Sequence, residues 1–350
     1  MVISVTYLGS KILTMHRRVS LTAIAKDSGV SVSTVSRYIK GELTVLPQTR
    51  EAIENSIKKL DYERSPAASF LHERILNIFI PDLSNPFFSE VVDKFSHFGK
   101  TIDVTVQVIP TGDNCESQTR TLEKVNFNPF WAVIFFGLNS QVTLDKNKLA
   151  QVENRALVMD EHIDQPWASK LPFIGSDNYS GAYLATKSLL KLGHQQIAFI
   201  GGPKSISSTK GRYKGFTDAF NDVSLSVDPK LLFFGTHRPE TGENAMSYIC
   251  QLNPRPTAVF ACSDVIAFGA LNAASTLGIH VPTDLSLIGF DGIQVRKLIR
   301  PQLSTVRQPV SEMVQASLKV LTESHESFVK PMKLPMTLIA GDTLSKASNN

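Results

Sequence analysis

The sequence predicts a small all-α head followed by a larger α/β part made of two doubly wound parallel sheets. Two short helical patterns flank a glycine within residues 20–39, and a third helical pattern follows them. From residue 75, apolar runs alternate with helical stretches, which is typical of strands buried in parallel sheets. These runs fall into two sets, so we expect two subdomains with a ligand cleft between them.

Length and charge set the limits of interpretation. The chain has 350 residues, which is typical of two or three domains. No apolar run approaches the ~18 residues of a membrane span, so no membrane partner is predicted. Lys and Arg exceed Asp and Glu by four, and all of this excess lies in residues 1–74. A positive head on a neutral body is typical of a protein that reads nucleic acid.

The head begins with a helix that Ser20 can cap through its hydroxyl. Leu21, Ile24 and Ala25 recur at helical spacing and form its apolar face. Gly29 follows, where the backbone can adopt a left-handed turn at low cost. The pattern therefore predicts a short helix that ends in a tight turn.

A second helix follows the turn, with Ser31 or Ser33 as its cap and with Val35 and Ile39 on its buried side. Ala25 is small enough to let the two helices cross closely. This arrangement is typical of a helix-turn-helix motif, which places its second helix in the major groove of DNA. An ordinary pair of surface helices is the alternative interpretation.

The exposed side of the second helix carries short hydroxyl or apolar side chains and one arginine, which suits contact with base edges and phosphates. Arg37 can donate two hydrogen bonds to a guanine or can hold a phosphate, and Val32 can touch a thymine methyl. The residues of the head that we predict to contact DNA are Ser20, Leu21, Ser31, Val32, Ser33, Thr34, Ser36 and Arg37.

A third helix, capped by Thr49, is predicted because apolar residues recur at helical spacing up to Leu60. It completes a helix-turn-helix domain that we place at residues 19–64. Residues 65–74 are predicted to form a hinge linker that contains a helix of under two turns. So short a helix is unstable alone, because its few hydrogen bonds do not offset the free-energy cost of helix nucleation.

The remaining composition argues against a metal or enzyme site. The chain has three cysteines, Cys115, Cys250 and Cys262, and they form no CxxC pair, so we predict neither a disulfide framework nor a zinc site. Few and unpaired cysteines are typical of proteins in a reducing compartment, so we expect this protein to be cytoplasmic. The histidines form no ligand-spaced cluster, and no P-loop, GxSxG or HExxH motif occurs. We therefore predict no cofactor, no metal and no catalytic activity. Residues 1–18 lack a convincing secretory signal and are expected to be a disordered tail, and residues 346–350 form another tail.

Polar residues at the ends of predicted strands are candidates for ligand binding, because open α/β sheets bind ligands beyond the carboxyl ends of their strands. Asp160 follows ALVM, and Asp291 ends LSLIGFD. Arg212 opens a helix after a Ser/Thr-rich loop. A guanidinium and a carboxylate can each hold two neighbouring hydroxyls, which suits a sugar. Asp264 is interpreted as a helix cap instead.

The stretch VSVSTVSR in the second helix resembles the lac repressor / gal repressor family, and other motifs of that family follow in order. They are LGHQQIAFIGGP, Arg212 with Gly215 and Phe216, PTAVFACSDVIAFGAL and VPTDLSLIGFDG. The resemblance extends from about Val19 to Leu338. It implies a periplasmic-binding-protein-like effector and dimerisation domain in residues 75–345.

The resemblance also implies that the chain passes between two subdomains three times, near Gly175, Gln308 and Pro335. The expected subdomains are residues 75–175 with 309–334, and residues 176–308 with 335–345.

Several residue roles are implied by the resemblance alone. In the family, a leucine of the linker wedges into the minor groove of the operator, so Leu71 and Ala68 join the predicted DNA contacts. Phe87 lies in a motif of the family and is expected to stack on an apolar ligand face. Ser263 stands where some sugar-binding members have asparagine. The predicted effector-binding residues are Phe87, Asp160, Arg212, Ser263 and Asp291.

The resemblance therefore implies a homodimeric transcription regulator that binds a pseudo-palindromic operator. We expect a repressor of a carbohydrate-utilisation operon, with a small effector, a sugar, in the cleft. A purine- or nucleoside-responsive member, or one whose ligand is a co-repressor, is an open alternative. A solute-binding protein is another, although it predicts a signal peptide and no helix-turn-helix. No leucine heptads follow Thr343, so a tetramer built by a coiled coil is not predicted.

Overall fold

The computed structural model divides into two compact units, Met1–Glu73 and Arg74–Asn350. The residues that it describes are 20–39, 43, 45–60, 62, 74–127, 130–152, 155–323 and 331–347. The predicted tail 1–18, residues 348–350 of the predicted tail 346–350, and the hinge helix within 65–71 lie outside the described residues. Ala347, in the described part of the second tail, donates from its amide to the Leu192 carbonyl oxygen at 2.9 Å.

The first unit contains the three predicted helices, α1 (Leu21–Ser28), α2 (Val32–Ile39) and α3 (Pro47–Lys59). The Ser20 hydroxyl accepts a hydrogen bond from the Ala23 amide at 3.3 Å, so its predicted role as a cap is confirmed. Gly29 has φ of 70°, the left-handed conformation expected of the turn. Of the two candidate caps for α2, the structure selects Ser31, which accepts from the Thr34 amide at 3.1 Å.

The prediction for the start of α3 was wrong. The helix begins at Pro47, two residues before Thr49, and its flanking residue Leu46 makes no side-chain cap. Proline suits the first helical position because its φ is already helical and no amide there needs a partner. The three helices pack around one small core, which consists of Ile24, Ala25, Val35, Tyr38, Ile39, Ile53 and Ile57.

The second unit is built from strands and helices that alternate along the chain. The strands are β1 (Arg74–Ile80), β2 (Val104–Pro110), β3 (Ala132–Phe136), β4 (Ala156–Met159), β5 (Phe173–Ser176), β6 (Ile197–Gly201), β7 (Leu232–Phe234), β8 (Ala258–Ala261), β9 (Ser286–Asp291), β10 (Ser304–Arg307), β11 (Met332–Leu334) and β12 (Thr337–Ile339). The helices are α4 (Pro86–Lys100), α5 (Cys115–Lys124), α6 (Lys146–Leu149), α7 (Asn178–Lys191), α8 (Ser207–Asn221), α9 (Pro239–Ile249), α10 (Asp264–Thr276) and α11 (Val310–Thr322).

These strands form two six-stranded sheets, as the two sets of apolar runs predict. The first sheet has the order β11-β5-β4-β3-β1-β2, and the second has the order β12-β10-β9-β8-β6-β7. Strands β1–β4 and β6–β9 each coincide with an apolar run of the sequence, so their prediction is confirmed. Strands β5, β10, β11 and β12 were not predicted, because they are short and carry polar residues or glycine.

The second sheet is not wholly parallel. Strand β12 pairs with β10 in antiparallel register, with Thr305 opposite Ile339. An antiparallel strand at the edge of an otherwise parallel sheet is common in doubly wound folds. The prediction of purely parallel sheets is corrected at this edge.

The chain passes between the two sheets three times. It leaves the first sheet after Ser176, returns after Arg307 to form α11, and leaves again between Leu334 and Thr337. Helix α11 packs against β4 and β5 of the first sheet, and its Met313 and Val314 are buried in the same core as Leu157 and Ile174. The three passages place the carboxyl ends of the strands of both sheets on either side of a cleft.

Candidate ligand cleft and recognition helix

A cavity of about 150 Å³ lies in the cleft and is lined by residues of both subdomains. Four of the five predicted effector-binding residues line it: Phe87, Asp160, Arg212 and Asp291. Asp160 directly follows β4, Asp291 is the last residue of β9, and Arg212 lies in the second turn of α8. The cavity therefore combines charged, hydrogen-bonding and aromatic groups in one partly open space.

Arg212 is buried and held from several directions. Its Nε donates to Asn178 Oδ1 at 2.8 Å, and its Nη1 donates to the carbonyl oxygen of Cys262. Nη1 also lies 3.4 Å from Asp291 Oδ1. The guanidinium lies 3.9 Å from the centroid of the Phe290 ring, within range of a cation–π interaction. These contacts fix the plane of the guanidinium before any ligand arrives.

Asp291 occupies a strained backbone position with φ of 111° at the end of β9. Residues held in sparsely populated conformations cluster at functional sites. Its Oδ1 accepts from Gln308 Nε2 at 2.8 Å, and the Oε1 of Gln308 accepts from the Ser176 hydroxyl at 2.7 Å. Burial raises the pKa of Asp291 to about 6, against the opposing influence of Arg212. Gln308 thus links the cavity to two of the passages between subdomains.

Asp160 also has a positive φ, of 72°, and only 8% of its surface is exposed. Its Oδ1 has no hydrogen-bond partner in the part of the chain that the structure describes. Burial, and then the neighbouring charge of Glu161, raise the pKa of Asp160 to about 8. A buried carboxyl oxygen without a partner is costly in a protein interior, so Asp160 marks the lining of this cavity as a candidate binding position.

Ser263 does not line the cavity, although it was predicted to bind the effector. Its hydroxyl accepts from the Ile266 amide at 3.3 Å and caps α10, because this serine stands just before the first helical turn. Asp264, predicted to be the cap, lies inside that first turn instead. Its carboxylate accepts from the Thr305 hydroxyl at 2.6 Å and from the Gly292 and Ile293 amides at 2.9 Å.

An aromatic wall closes the side of the cavity formed by the first subdomain. Phe87 and Phe88 begin α4, which Asn85 caps by accepting from the Phe87 amide at 3.0 Å. The Phe88 ring packs edge-on against Phe136, with centroids 5.0 Å apart. This wall offers a ligand an apolar surface opposite the charged groups of the second subdomain.

His237 is a lining residue that sequence reasoning missed. Its Nδ1 has no partner among the described residues, and burial lowers its pKa to about 3, so the ring is uncharged near neutral pH. The ring lies against Gly202, where an added Cβ would come within 2.4 Å of it. His237 lies in the loop that follows β7. Polar residues after the carboxyl end of a strand are candidates for ligand binding, so recognition of β7 in the sequence would have identified this loop.

Two further missed residues join the subdomains across the cleft. Glu161 Oε2 accepts from the Ser207 hydroxyl at 2.6 Å and from the Ser208 amide at 3.0 Å, at the amino end of α8. Arg238 Nη2 lies 3.3 Å from the Asp113 carboxylate and 3.7 Å from that of Asp82. No local sequence pattern identifies these pairs, because their partners are distant along the chain.

Helix α2, the predicted recognition helix, exposes some of the residues predicted to contact DNA. Val32 is 43% exposed, and Ser31, Ser33 and Arg37 are also exposed. The face is therefore open to a DNA groove. Of the other predicted contacts, Ser20 is exposed, whereas Leu21, Thr34 and Ser36 are half-buried. Ala68 and Leu71 lie outside the described residues.

The described residues contain no group of three or more His, Cys, Asp or Glu side chains that could hold a metal ion. Across the same residues, no helix is both long and apolar enough to cross a membrane.

A helix-turn-helix unit joined to a two-sheet unit with a polar cleft is the architecture of a ligand-responsive bacterial regulator. Comparison with known proteins agrees. Residues 20–65 match the model of bacterial regulatory proteins of the lacI family, and residues 186–344 match the periplasmic binding protein-like domain.

The PurR transcriptional repressor of Actinobacillus pleuropneumoniae is 30% identical over 309 residues, which cover 86% of this chain and 89% of PurR. The ribose operon repressor of Halalkalibacterium halodurans is 29% identical over 335 residues, or 93% of this chain and 97% of the relative. A solved structure of the lac repressor dimer bound to operator and an anti-inducer is similar in fold, with a TM-score of 0.70 at 24% identity, covering 94% of this chain and all of that one. The chain belongs to the lacI family of bacterial transcription regulators, not to a family of enzymes.

Proposed function

We propose that this protein is a cytoplasmic repressor that binds a pseudo-palindromic operator as a homodimer and releases it when a sugar enters the cleft. The observation that carries the proposal is the cavity, where Arg212 and Asp291 from one subdomain face Asp160 from the other. A fixed guanidinium and carboxyl groups suit the neighbouring hydroxyls of a sugar. Repressors among the relatives, including a ribose operon repressor, support the same class of function.

The size of the cavity fits one sugar ring. A volume of about 150 Å³ holds on the order of ten atoms of the size of water, since each water needs about 10–15 Å³ of such space. This favours a monosaccharide over an oligosaccharide. The aromatic wall of Phe87 and Phe88 suits the apolar face of the ring.

Ligand binding can be coupled to DNA binding because the ligand touches both subdomains. Glu161 contacts Ser207 and Ser208 across the cleft, and Arg238 contacts Asp82 and Asp113. We expect these contacts to lengthen or break if the cleft opens. A ligand that favours one arrangement shifts the population of the two states by its differential affinity.

The proposed link to DNA runs through the hinge, residues 65–71, which lie outside the described residues. A helix of that length needs external support from the partner hinge and from the opened minor groove. We expect hydrogen exchange across residues 64–73 to be fast in the free protein, slow on operator, and fast again when effector is added. Equal protection of the free and operator-bound protein would show that the hinge is preformed.

The proposal is tested on the full chain. Operators are selected from random duplexes with the purified protein, and operator affinity is then measured by fluorescence anisotropy with and without individual sugars, nucleobases and nucleosides. A sugar that raises the melting temperature and weakens operator binding supports the proposal. The same response to a purine alone would establish the alternative, purine-responsive member. A duplex selection that yields no preferred sequence would contradict operator binding.

A further inference from the structure

We infer that the effector is an uncharged, unphosphorylated sugar and that the cavity rejects phosphate esters. This inference rests on the proposed function, because it names the chemical class of ligand that the same cavity binds. It is carried by the distribution of charge around the cavity. The described lining residues include five carboxyl groups and two guanidinium groups.

Both guanidinium groups already have anionic partners. Arg212 Nη1 lies 3.4 Å from Asp291, and the guanidinium also contacts Asn178, the carbonyl oxygen of Cys262 and the Phe290 ring. Arg238 lies between the carboxylates of Asp113 and Asp82. A phosphate group that recruited Arg238 would leave both carboxylates facing it without their cation. Among the described lining residues, no unpaired cation remains for an anionic ligand.

The amino end of helix α8 is also occupied. Helix N-termini attract phosphate groups through their free amides and their dipole. Here Glu161 reaches across the cleft and accepts hydrogen bonds from the Ser207 hydroxyl and the Ser208 amide. Ser208 lines the cavity, so the place where a phosphate would bind is filled by a carboxylate of the protein itself.

The buried polar atoms that lack a partner, among the described residues lining the cavity, carry no positive charge. Asp160 Oδ1 and His237 Nδ1 are the orphaned buried atoms of described residues that line this cavity. Burial keeps the pKa of Asp160 at about 8 and that of His237 at about 3, so both groups are mainly neutral near pH 7. Neutral groups can exchange hydrogen bonds with hydroxyls, but they do not compensate a buried phosphate dianion.

A place in metabolism follows from this chemistry. One class of reaction that consumes a free sugar is transfer of the terminal phosphoryl group of a nucleoside triphosphate to one of the sugar's hydroxyls, which releases a nucleoside diphosphate. The product of that reaction is an ester of the kind that the cavity rejects. The repressor would therefore respond to the substrate of a sugar kinase and would stop responding as the kinase removes it.

Calorimetric titration of the full chain with matched pairs tests the inference. The pairs are D-ribose and D-ribose 5-phosphate, D-glucose and D-glucose 6-phosphate, D-fructose and D-fructose 6-phosphate, and inosine and inosine monophosphate. We expect a free sugar to bind and its ester to bind at least about 100-fold more weakly. An ester that binds as tightly as its parent sugar would overturn the inference while leaving operator binding, and so the repressor function, intact. Binding of no free sugar would overturn the sugar proposal and this inference together.

A charge-neutral replacement gives a second, independent measurement. The variant Asp82→Asn with Asp113→Asn releases Arg238 and keeps an amide oxygen for the hydrogen bonds that Asp82 Oδ1 accepts from Ser84. We expect the gap in affinity between sugar and ester to narrow at least about tenfold. The control, Asp103→Asn with Glu123→Gln, removes the same charge from exposed sites in the same subdomain. An unchanged gap in the first variant, or an equal narrowing in the control, would contradict the role of paired cations.

Discussion

Arg212 and Asp291 form a buried ion pair beside the cavity, with Nη1 and Oδ1 3.4 Å apart and side chains only 4% and 6% exposed. The pair is long for a direct salt bridge because the guanidinium also serves Asn178 and the Cys262 carbonyl. Arg212 is therefore part of the framework of the second subdomain as well as a candidate ligand contact.

The first prediction follows from this double role. Arg212→Ala should lower the free energy of unfolding by roughly 3–5 kcal/mol, because it leaves the Asp291 charge buried without its partner. Arg212→Lys keeps the charge and should cost less, yet it should abolish sugar binding because lysine lacks the planar fork. Urea unfolding and calorimetry measure the two effects. Arg255→Ala, at an exposed site, is the control. Full stability of Arg212→Ala would show that the pair is not structural.

The second prediction concerns the pH dependence of stability. Burial raises the pKa of Asp160 to about 8 from 3.8, so the folded state binds this proton more tightly than the unfolded state does. The stabilisation that results is fully present below pH 3.8 and is lost as the pH rises through about 8. The variant Asp160→Asn has no carboxyl group to ionise, so its stability should not change with pH in this way, and asparagine tolerates the positive φ. The urea midpoint of the native sequence should therefore fall more between pH 5 and pH 8 than that of the variant. Parallel curves would place the pKa of Asp160 near its ordinary value.

The third prediction concerns the exposed arginine of α2. Arg37→Ala should weaken binding to the selected operator by about 1–3 kcal/mol and relax its preference at one base pair. A phosphate contact would instead weaken all duplexes alike and reduce the salt dependence of binding. Anisotropy with the selected operator and a scrambled duplex separates these outcomes. Lys26→Ala, at an exposed site on α1, is the matched control for the loss of one positive charge.

The fourth prediction isolates backbone conformation in the head. Gly29 has φ of 70°, and an added Cβ would meet no atom within 4 Å. Gly29→Ala should therefore cost about 1 kcal/mol through the left-handed conformation alone, and Gly29→Asn should cost less. Hydrogen exchange of peptides from residues 20–39 reports the change in local stability. Equal exchange in the alanine variant and the native chain would mean that the turn can relax to negative φ.

The positions of two of the five cavity carboxyl groups could be predicted because they depend on local sequence. An apolar run followed by an acidic residue identifies a strand end, and the ends of parallel strands share one edge. Asp160 and Asp291 satisfy both conditions. This strand-end rule gives no information on the backbone torsion angles, which decide whether a side chain points into the cavity. Ser263 follows the apolar run of β8, yet it turns away to cap α10.

The contacts that cross the cleft could not be predicted from one sequence. Glu161 meets the amino end of α8 at a separation of 47 residues, and Arg238 meets Asp113 at a separation of 125 residues. Neither pair belongs to a helical or strand repeat, so only the packing of the two subdomains brings them together. His237 was missed for another reason, because β7 has only three half-buried residues and gives a weak strand pattern.

The threading of the last strands has a consequence for biosynthesis. The first sheet acquires its edge strand β11 only at Met332–Leu334, and the second acquires β12 at Thr337–Ile339. Helix α11, which covers the first sheet, also comes from this late part of the chain. The first sheet is therefore complete only at Leu334 and the second only at Ile339, and pairings of such long sequence separation form slowly. Both subdomains thus depend on the same late stretch of the chain, and removal of residues 331–347 should lower the stability of both.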